Sequence, residues 1–163
     1  MADLLNKYLL FDITNESYGV PIAKVREVIR FVDITPLNDA SSFLKGVINL
    51  RGKIIPIIDM RLKFGLKETG YNDRTIFIIV EIPGARDVIN IGMAVDSVKD
   101  VIDIPEDKLE KAPDIGLKLK SHYLYGIAQM DGKMIMILNI DRILSTEEVI
   151  DITSIEENAK VSK

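Results

Sequence analysis

The chain has 163 residues, 47% of them hydrophobic, and a net charge of −4, so it can fill a core but has no clustered lysines and arginines for nucleic acid. The absence of cysteine excludes disulfides and thiolate metal sites. The N-terminus lacks the basic start of a signal peptide, and no apolar run approaches the roughly 18 residues of a transmembrane helix, so we expect a soluble intracellular protein.

Short segments rich in isoleucine and valine recur along the chain, and such β-branched residues favour strands because they pack well on a pleated surface. The first five predicted strands lie near residues 8–13, 17–22, 27–33, 46–50 and 53–59. The next five lie near residues 75–82, 88–95, 98–104, 126–130 and 133–140. Helical segments are expected at 60–66 and, as a C-terminal helix, at 141–150, whereas the tail at 151–163 lacks a pattern and is expected to be frayed.

The two sets of strands are related by an internal repeat. Residues 46–62 align with 126–142, with five of 17 positions identical, and residues 19–29 align with 92–102. The opening strands at 9–13 and 78–82 also correspond, and all three pairs occur in the same order. The chain is therefore predicted to be two copies of one five-stranded unit.

Five short strands bury a core and remove exposed edges when they roll into a small barrel. We therefore predict an all-β protein of two five-stranded SH3-like barrels, residues 8–68 and 72–146, related by a pseudo-two-fold axis and packed along a shared apolar seam. Exchange of strands between the two halves is left open by the sequence.

The hairpin at residues 46–59, GVINLRGKIIPIID, carries two unusual residues. Arg51 stands at the turn, where the second copy has Asp131, and Pro56 stands within the returning strand, where the second copy has Met136. One interpretation is a type I turn with a bulge that leaves Arg51 relaxed. Arg51 is also placed to pair with Glu27 or with a partner's carbonyl or carboxylate. Pro56 indicates a strand with an unpaired or bulged side.

Residues suited to catalysis are scarce. Asp96, Asp100 and Asp103 lie close together in sequence, but they lack the glycine turn and the bidentate glutamate of a calcium loop. An enzyme that uses these carboxylates is one alternative, and a small-barrel nucleic-acid-binding protein is another. The acidic composition argues against the nucleic-acid-binding alternative, and so does the small number of aromatic residues, only ten, that could stack on bases.

The motifs YGVPIAKVREVI, FLKGVINLRGKIIPIIDMRLKFG, YNDRTIFIIVEI and GMAVDSVKDVI, in this order, resemble the CheW family of bacterial chemotaxis coupling proteins from about residue 8 to 149. The resemblance implies a fold of two SH3-like barrels and an adaptor without catalytic activity or cofactor. It implies a cytoplasmic protein that links the regulatory domain of the histidine kinase CheA to the helical hairpin tips of chemoreceptors beneath receptor arrays. Such a protein is a monomer when free and forms rings with the kinase.

The resemblance also implies a receptor-binding groove between the two halves. The positions that match the family motif are Val25, Glu27, Gly46, Asn49 and Arg51. Ile29, Val47 and Val98 are extrapolated to the same groove. Core packing is the alternative for the four apolar residues Val25, Ile29, Val47 and Val98, whereas a charged pair such as Glu27 and Arg51 is unsuited to a core.

Overall fold

The computed structural model describes residues 5–37, 43–67, 69–84, 86–111 and 123–161, without the side chains of residues 146 and 155–161. In this part of the chain there are eleven strands and two α-helices. The strands are Lys7–Ile13 (β1), Glu16–Pro21 (β2), Val25–Arg30 (β3), Leu44–Leu50 (β4), Lys53–Asp59 (β5), Ile76–Pro83 (β6), Val88–Val95 (β7), Ser97–Asp103 (β8), Leu109–Glu110 (β9), Leu124–Met130 (β10) and Lys133–Leu138 (β11). The helices are Met60–Lys63 (α1) and Thr146–Val161 (α2). The prediction of an all-β protein is confirmed, and β9 is the one addition to the ten predicted strands.

The strands form two mixed sheets, and each sheet combines strands from both copies of the repeat. Sheet A has the order β8-β1-β2-β11-β10-β9, and sheet B has the order β3-β6-β7-β5-β4. Strands from residues 8–68 and from residues 72–146 therefore occur together within both sheets, whereas the division into two barrel subdomains stays a prediction. Parallel pairing joins the halves, because β11 pairs with β2 and β5 pairs with β7.

The glycines that the repeat preserves allow this parallel pairing. Gly19 lies opposite Ile137 in sheet A, and the equivalent Gly92 lies opposite Ile57 in sheet B. A Cβ atom would lie 2.8 Å from the Ile137 side chain at Gly19 and 2.6 Å from the Ile57 side chain at Gly92. Both distances are shorter than ordinary Cβ contacts, so a side chain at either glycine would displace the Cδ1 end of the facing isoleucine.

A shared cluster of buried residues lies between the sheets. Phe11 and Tyr18 of sheet A pack in the same cluster as Ile78 and Met93 of sheet B, so an apolar seam joins the two sheets. Each sheet also has a cluster of its own. The sheet B cluster is built on Ile48, Ile55, Ile57, Phe77, Ile79 and Ala94, and the sheet A cluster on Tyr8, Ile104, Ala128, Ile135 and Ile137.

After β3 and after β8, the chain crosses to the opposite edge of the sheet that contains that strand. In sheet B, Thr35 exchanges two backbone hydrogen bonds with Val47 of β4, at 2.8 and 2.9 Å. In sheet A, β9 pairs with β10 at the equivalent position, Ile127. These contacts bring the two edges of each sheet together, whereas closure into SH3-like barrels stays a prediction.

Helix α2 differs from the expected end of the chain. It continues to Val161, so most of the segment predicted to be a frayed tail from residue 151 is helical. Its start is capped reciprocally, since the Ser145 backbone N–H donates to Glu148 Oε1 at 2.7 Å and the Glu148 N–H donates to Ser145 Oγ at 3.2 Å. Ile152 is buried in the shared cluster, which anchors the helix beyond the predicted boundary.

Candidate functional site

The tip of the β4–β5 hairpin is a two-residue turn. Leu50 pairs with Lys53, and the intervening Arg51 and Gly52 have φ angles of 51° and 84°. Positive φ at both positions defines a type I′ turn, which matches the twist of the flanking strands. The interpretation of a type I turn with a bulge and a relaxed Arg51 is therefore wrong. The strand twist selects the left-handed conformation, although arginine has no intrinsic preference for it.

The side chain of Asn49 stabilises this turn by a hydrogen bond. Its side-chain Oδ1 accepts a hydrogen bond of 2.9 Å from the backbone N–H of Gly52. The contact fixes the tip and so positions Arg51. Asn49 was predicted to face a receptor, and the geometry gives it a turn-stabilising contact as well.

Arg51 and Glu27 form a bidentate ion pair between the hairpin tip and β3. Arg51 Nη1 donates to Glu27 Oε1 at 3.0 Å, and Nη2 contacts Oε2. Hydrogen bonding to the Arg51 guanidinium lowers the pKa of the Glu27 carboxyl. The Arg51 side chain remains 69% exposed, so the pair is a surface feature with donors still directed outward. The predicted contact between these two residues is present.

The second copy of the repeat provides an internal comparison. Asp131 and Gly132 adopt the same turn, with φ angles of 53° and 77°. The residue equivalent to Glu27 is Asp100, so two carboxylates occupy the positions that hold an ion pair in the first copy. The backbone of the turn therefore does not require Arg51.

The predicted groove residues divide between two environments. Val25 on β3 and Val98 on β8 are half-buried against the shared cluster. Ile29 instead packs against the sheet B cluster, so it lies on the face of β3 opposite to Val25, and its role in the receptor groove stays a prediction. A bulge in β3 between Val25 and Glu27 places Glu27 opposite Ile79 of that cluster, on the side where Ile29 lies.

Two exposed valines on the edge strands were not predicted from the sequence as site residues. Val28 on β3 is 42% exposed and Val101 on β8 is 48% exposed. Val28 lies opposite Ile78 and Val101 opposite Leu9, and both partners belong to the shared cluster. Cross-strand partners share a face, so each valine extends the apolar seam toward solvent at the edge of its sheet. The repeat alignment pairs Val28 with Val101, and this was the available signal.

Gly46 and Val47 lie where the chain crosses β4. A Cβ atom on Gly46 would lie 2.2 Å from the Thr35 carbonyl oxygen, and Gly46 has a φ angle of 146°. The equivalent Gly126 meets the Glu110 carbonyl in the same way, at 2.6 Å. Val47 is half-buried and bonded to Thr35. The requirement for glycine at position 46 is therefore explained by close backbone approach.

Pro56 lies in a stretch of β5 that pairs with a neighbouring strand on one side only, as the sequence indicated. It lies opposite Val47 of β4, one residue before the parallel pairing with β7 begins at Ile57. In the second copy, which has no proline there, parallel pairing with β2 already begins at Ile135. The missing N–H of proline fits a segment with a hydrogen-bonded neighbour on one side.

Several charged side chains of the described residues form ion pairs. The ion pairs include Lys7–Asp103, Lys24–Asp141, Arg26–Glu81, Arg61–Asp96, Lys63–Glu148 and Lys99–Asp12. Asp96 and Asp103 thus each contact a cation, and the described residues contain no group of three or more potential ligands placed to hold a metal ion. Neither the carboxylate enzyme nor the nucleic-acid alternative gains support from this arrangement. In the described part of the chain, no helix combines the length and apolar character that crossing a membrane requires.

The two mixed sheets and the charged hairpin tip define the chain as an all-β protein. Comparison with known proteins identifies its family. A family model of the CheW-like domain matches residues 7–148. Chemotaxis protein CheW of Klebsiella aerogenes is 36% identical over 143 residues, covering 88% of this chain and 84% of that protein. The crystal structure of the scaffolding protein TtCheW from Thermoanaerobacter tengcongensis matches with a TM-score of 0.78 and 36% identity, over 88% of this chain and 90% of that chain.

A second relative, chemotaxis protein CheW of Thermotoga maritima, is 31% identical over 149 residues, covering 88% of this chain and 92% of that protein. The chain belongs to the CheW-like family of chemotaxis proteins. The resemblance found in the sequence motifs is confirmed.

Proposed function

We propose that this protein is a non-enzymatic adaptor that couples chemoreceptors to the histidine kinase CheA. Its place of action is the cytoplasm, beneath membrane receptor arrays. Membership of the CheW-like family supports the coupling role, and one relative is itself described as a scaffolding protein. The kinase partner surface is the regulatory domain, and the receptor partner surface is a helical hairpin tip.

The receptor site centres on Arg51 and Glu27. The observation that carries this proposal is that Arg51 is held by Glu27 at an exposed tip, while the equivalent tip of the second copy has Asp131. The same turn thus exists with and without the arginine, and folding does not explain its presence. Outward-directed N–H donors of Arg51 suit carbonyl or carboxylate groups of a receptor.

Apolar contact with the receptor comes from the half-buried and exposed valines of the seam. Val25 and Val28 supply it on β3, and Val98 and Val101 supply it on β8. A helix pair presents apolar side chains at regular spacing, and it buries them against such a surface. Gly46 contributes through its close backbone approach to Thr35, and Val47 and Ile29 contribute through half-buried side chains. Asn49 contributes an exposed side chain that also stabilises the turn.

The test compares matched variants at the two equivalent turns. Arg51→Asn and Asp131→Asn both retain a residue that tolerates positive φ, so both turns remain formed. Arg51→Asn is expected to weaken binding of a receptor-tip fragment at least tenfold by titration calorimetry, with the melting temperature close to wild type. Asp131→Asn is expected to leave the affinity within twofold. Unchanged affinity of Arg51→Asn would remove Arg51 from the receptor site.

The adaptor role as a whole is tested by titration against the kinase regulatory domain. A saturable 1:1 complex is expected, and the Arg51→Asn variant is expected to form it normally. Absence of measurable binding at micromolar concentrations would contradict the coupling role.

A further inference from the structure

Equivalent contacts join the first half of the chain to the second half and the second half to the first. Gly19 of the first half receives Ile137 of the second, and Gly92 of the second half receives Ile57 of the first. Sheet A also joins β1 to β8, and sheet B joins β3 to β6. The halves are thus related like two subunits of an isologous dimer, in which one surface meets its own copy.

Two ion pairs also join the halves at equivalent places, and the positions of the cation and the anion are exchanged between them. Arg61, which follows β5, contacts Asp96 in the turn before β8. Asp141, the residue equivalent to Arg61, binds Lys24 in the turn before β3, with 3.0 Å between Lys24 Nζ and Asp141 Oδ1. Asp96 and Lys24 stand one residue apart in the repeat alignment. Each half therefore carries a surface that specifically fits the other half.

A short connector joins the halves between α1 and β6. Leu66 packs against the shared cluster, whereas Tyr71 packs against the sheet B cluster and donates a 2.7 Å hydrogen bond to Asp59 Oδ2. Between them, Lys67, Thr69 and Gly70 are exposed. The connector is thus anchored at two points in different clusters, and the residues that the structure describes between these points are exposed.

We propose that this chain can exchange halves with a second copy of itself. In the exchanged dimer, the first half of each copy forms sheets A and B with the second half of the other copy, through the same surfaces that it uses in the monomer. Every contact between halves is retained, and only the path of the connector changes. The intact connector selects the monomer because it keeps the two halves of one chain at high effective concentration.

The main experiment shortens the connector in the full chain by deleting residues 67–70. Direct joining of Leu66 to Tyr71 fixes their Cα atoms about 3.8 Å apart. Because the two residues pack in different clusters, we expect one of them to leave its cluster in the monomer. The shortened chain is expected to be a dimer by light scattering, with a wild-type circular dichroism spectrum. The unshortened chain is expected to remain a monomer.

Engineered disulfides then show whether the dimer is exchanged, and the chain has no native cysteine to interfere. Lys7 and Asp103 are cross-strand neighbours in different halves, and Gln129 and Met134 are exposed neighbours in the same half. Such neighbours have Cα separations suited to a disulfide. In the shortened chain, Lys7→Cys/Asp103→Cys is expected to give covalent dimers on a non-reducing gel, whereas Gln129→Cys/Met134→Cys gives single chains.

A shortened chain that is a stable monomer, or a dimer in which Lys7→Cys/Asp103→Cys links residues of one chain, would overturn the proposal. If the shortened chain does not fold, a full-length chain with a protease site at 67–70 decides the matter. That chain is cut after folding, denatured and refolded together with a cut copy of different isotopic mass. Recovery of the native melting temperature with halves redistributed between the two masses is expected, and failure of the halves to reassociate contradicts the proposal.

Discussion

The ammonium of Lys63 lies 2.7 and 2.9 Å from the two carboxylate oxygens of Glu148, so α1 is joined to α2 by a largely buried ion pair. The Lys63 side chain is 9% exposed, and its ammonium lies 4.4 Å from the centre of the Phe43 ring and 5.8 Å from that of Tyr123. Phe43 and Tyr123 are equivalent residues of the repeat. One cation thus connects both copies of the repeat to the C-terminal helix.

Replacing Glu148 by glutamine is expected to lower the free energy of unfolding by roughly 2–4 kcal/mol, because the buried ammonium of Lys63 loses its counter-charge. Glutamine can still accept the capping hydrogen bond from the Ser145 N–H, so the substitution isolates the charge. Urea unfolding measures the change. Glu147→Gln, on the exposed side of the same helix turn, is the control, and equal effects of the two variants would contradict the assignment.

The same carboxylate predicts a pH dependence of stability. Burial raises the pKa of Glu148, but hydrogen bonds from Lys63 and Ser145 outweigh this effect, and the pKa in the folded protein is lower than the ordinary value. The stabilisation is therefore present above the unfolded-state pKa of about 4.3 and is lost as the pH falls through the lower folded-state value. Between pH 5 and pH 3, wild type is expected to lose more stability than Glu148→Gln in parallel thermal melts. Identical pH profiles would show that Glu148 does not contribute.

The two reversed ion pairs between the halves are expected to differ in strength. Arg61 is buried, and it also donates a 3.0 Å hydrogen bond from Nε to Thr14 Oγ1, whereas Lys24 and Asp141 are each about one-third exposed. A double-mutant cycle with Arg61→Met and Asp96→Asn is expected to give a coupling energy of about 1–2 kcal/mol. The cycle with Lys24→Met and Asp141→Asn is expected to give less than about 0.5 kcal/mol because solvent screens the pair. A larger coupling in the second cycle would refute this ranking.

Gly46 and Gly52 are expected to respond very differently to alanine. At Gly46 the new Cβ would meet the Thr35 carbonyl oxygen at 2.2 Å, whereas at Gly52 nothing lies within 4 Å. Gly46→Ala is expected to cost more than about 3 kcal/mol of unfolding free energy, and Gly52→Ala about 1 kcal/mol from its positive φ alone. Chemical denaturation measures both. A stable Gly46→Ala that fails to bind receptor fragment would instead favour a direct receptor contact at that residue.

Much of the local structure could be predicted from the residues themselves. Alternating β-branched residues located ten strands, and the repeat located the equivalent positions in the two halves. The contrast between Arg51 and Asp131 identified the charged hairpin tip, and the sequence also offered Glu27, 24 residues away, as one possible partner of Arg51. The strands and the hairpin turn depend on neighbours along the chain, whose spacing is visible in the sequence.

Other parts of the site depend on distant contacts and could not be predicted in this way. The left-handed conformation of Arg51 follows from the twist of β4 and β5, and the position of Ile29 follows from a bulge in β3. The helical tail depends on the burial of Ile152 in the shared cluster. None of these causes leaves a signal in the local residue pattern.

The sequence by itself determined ten of the eleven described strands, their repeat and the family of this protein. Only the tertiary structure decided which half each strand joins, because pairing within a half and pairing between halves satisfy the same alternation of apolar and polar residues. The choice is made by contacts such as Gly19 with Ile137 and Arg61 with Asp96, which lie far apart in the chain. Both contacts join the two halves, and the arrangement to which they belong places the seam valines and the Arg51–Glu27 pair at the surface.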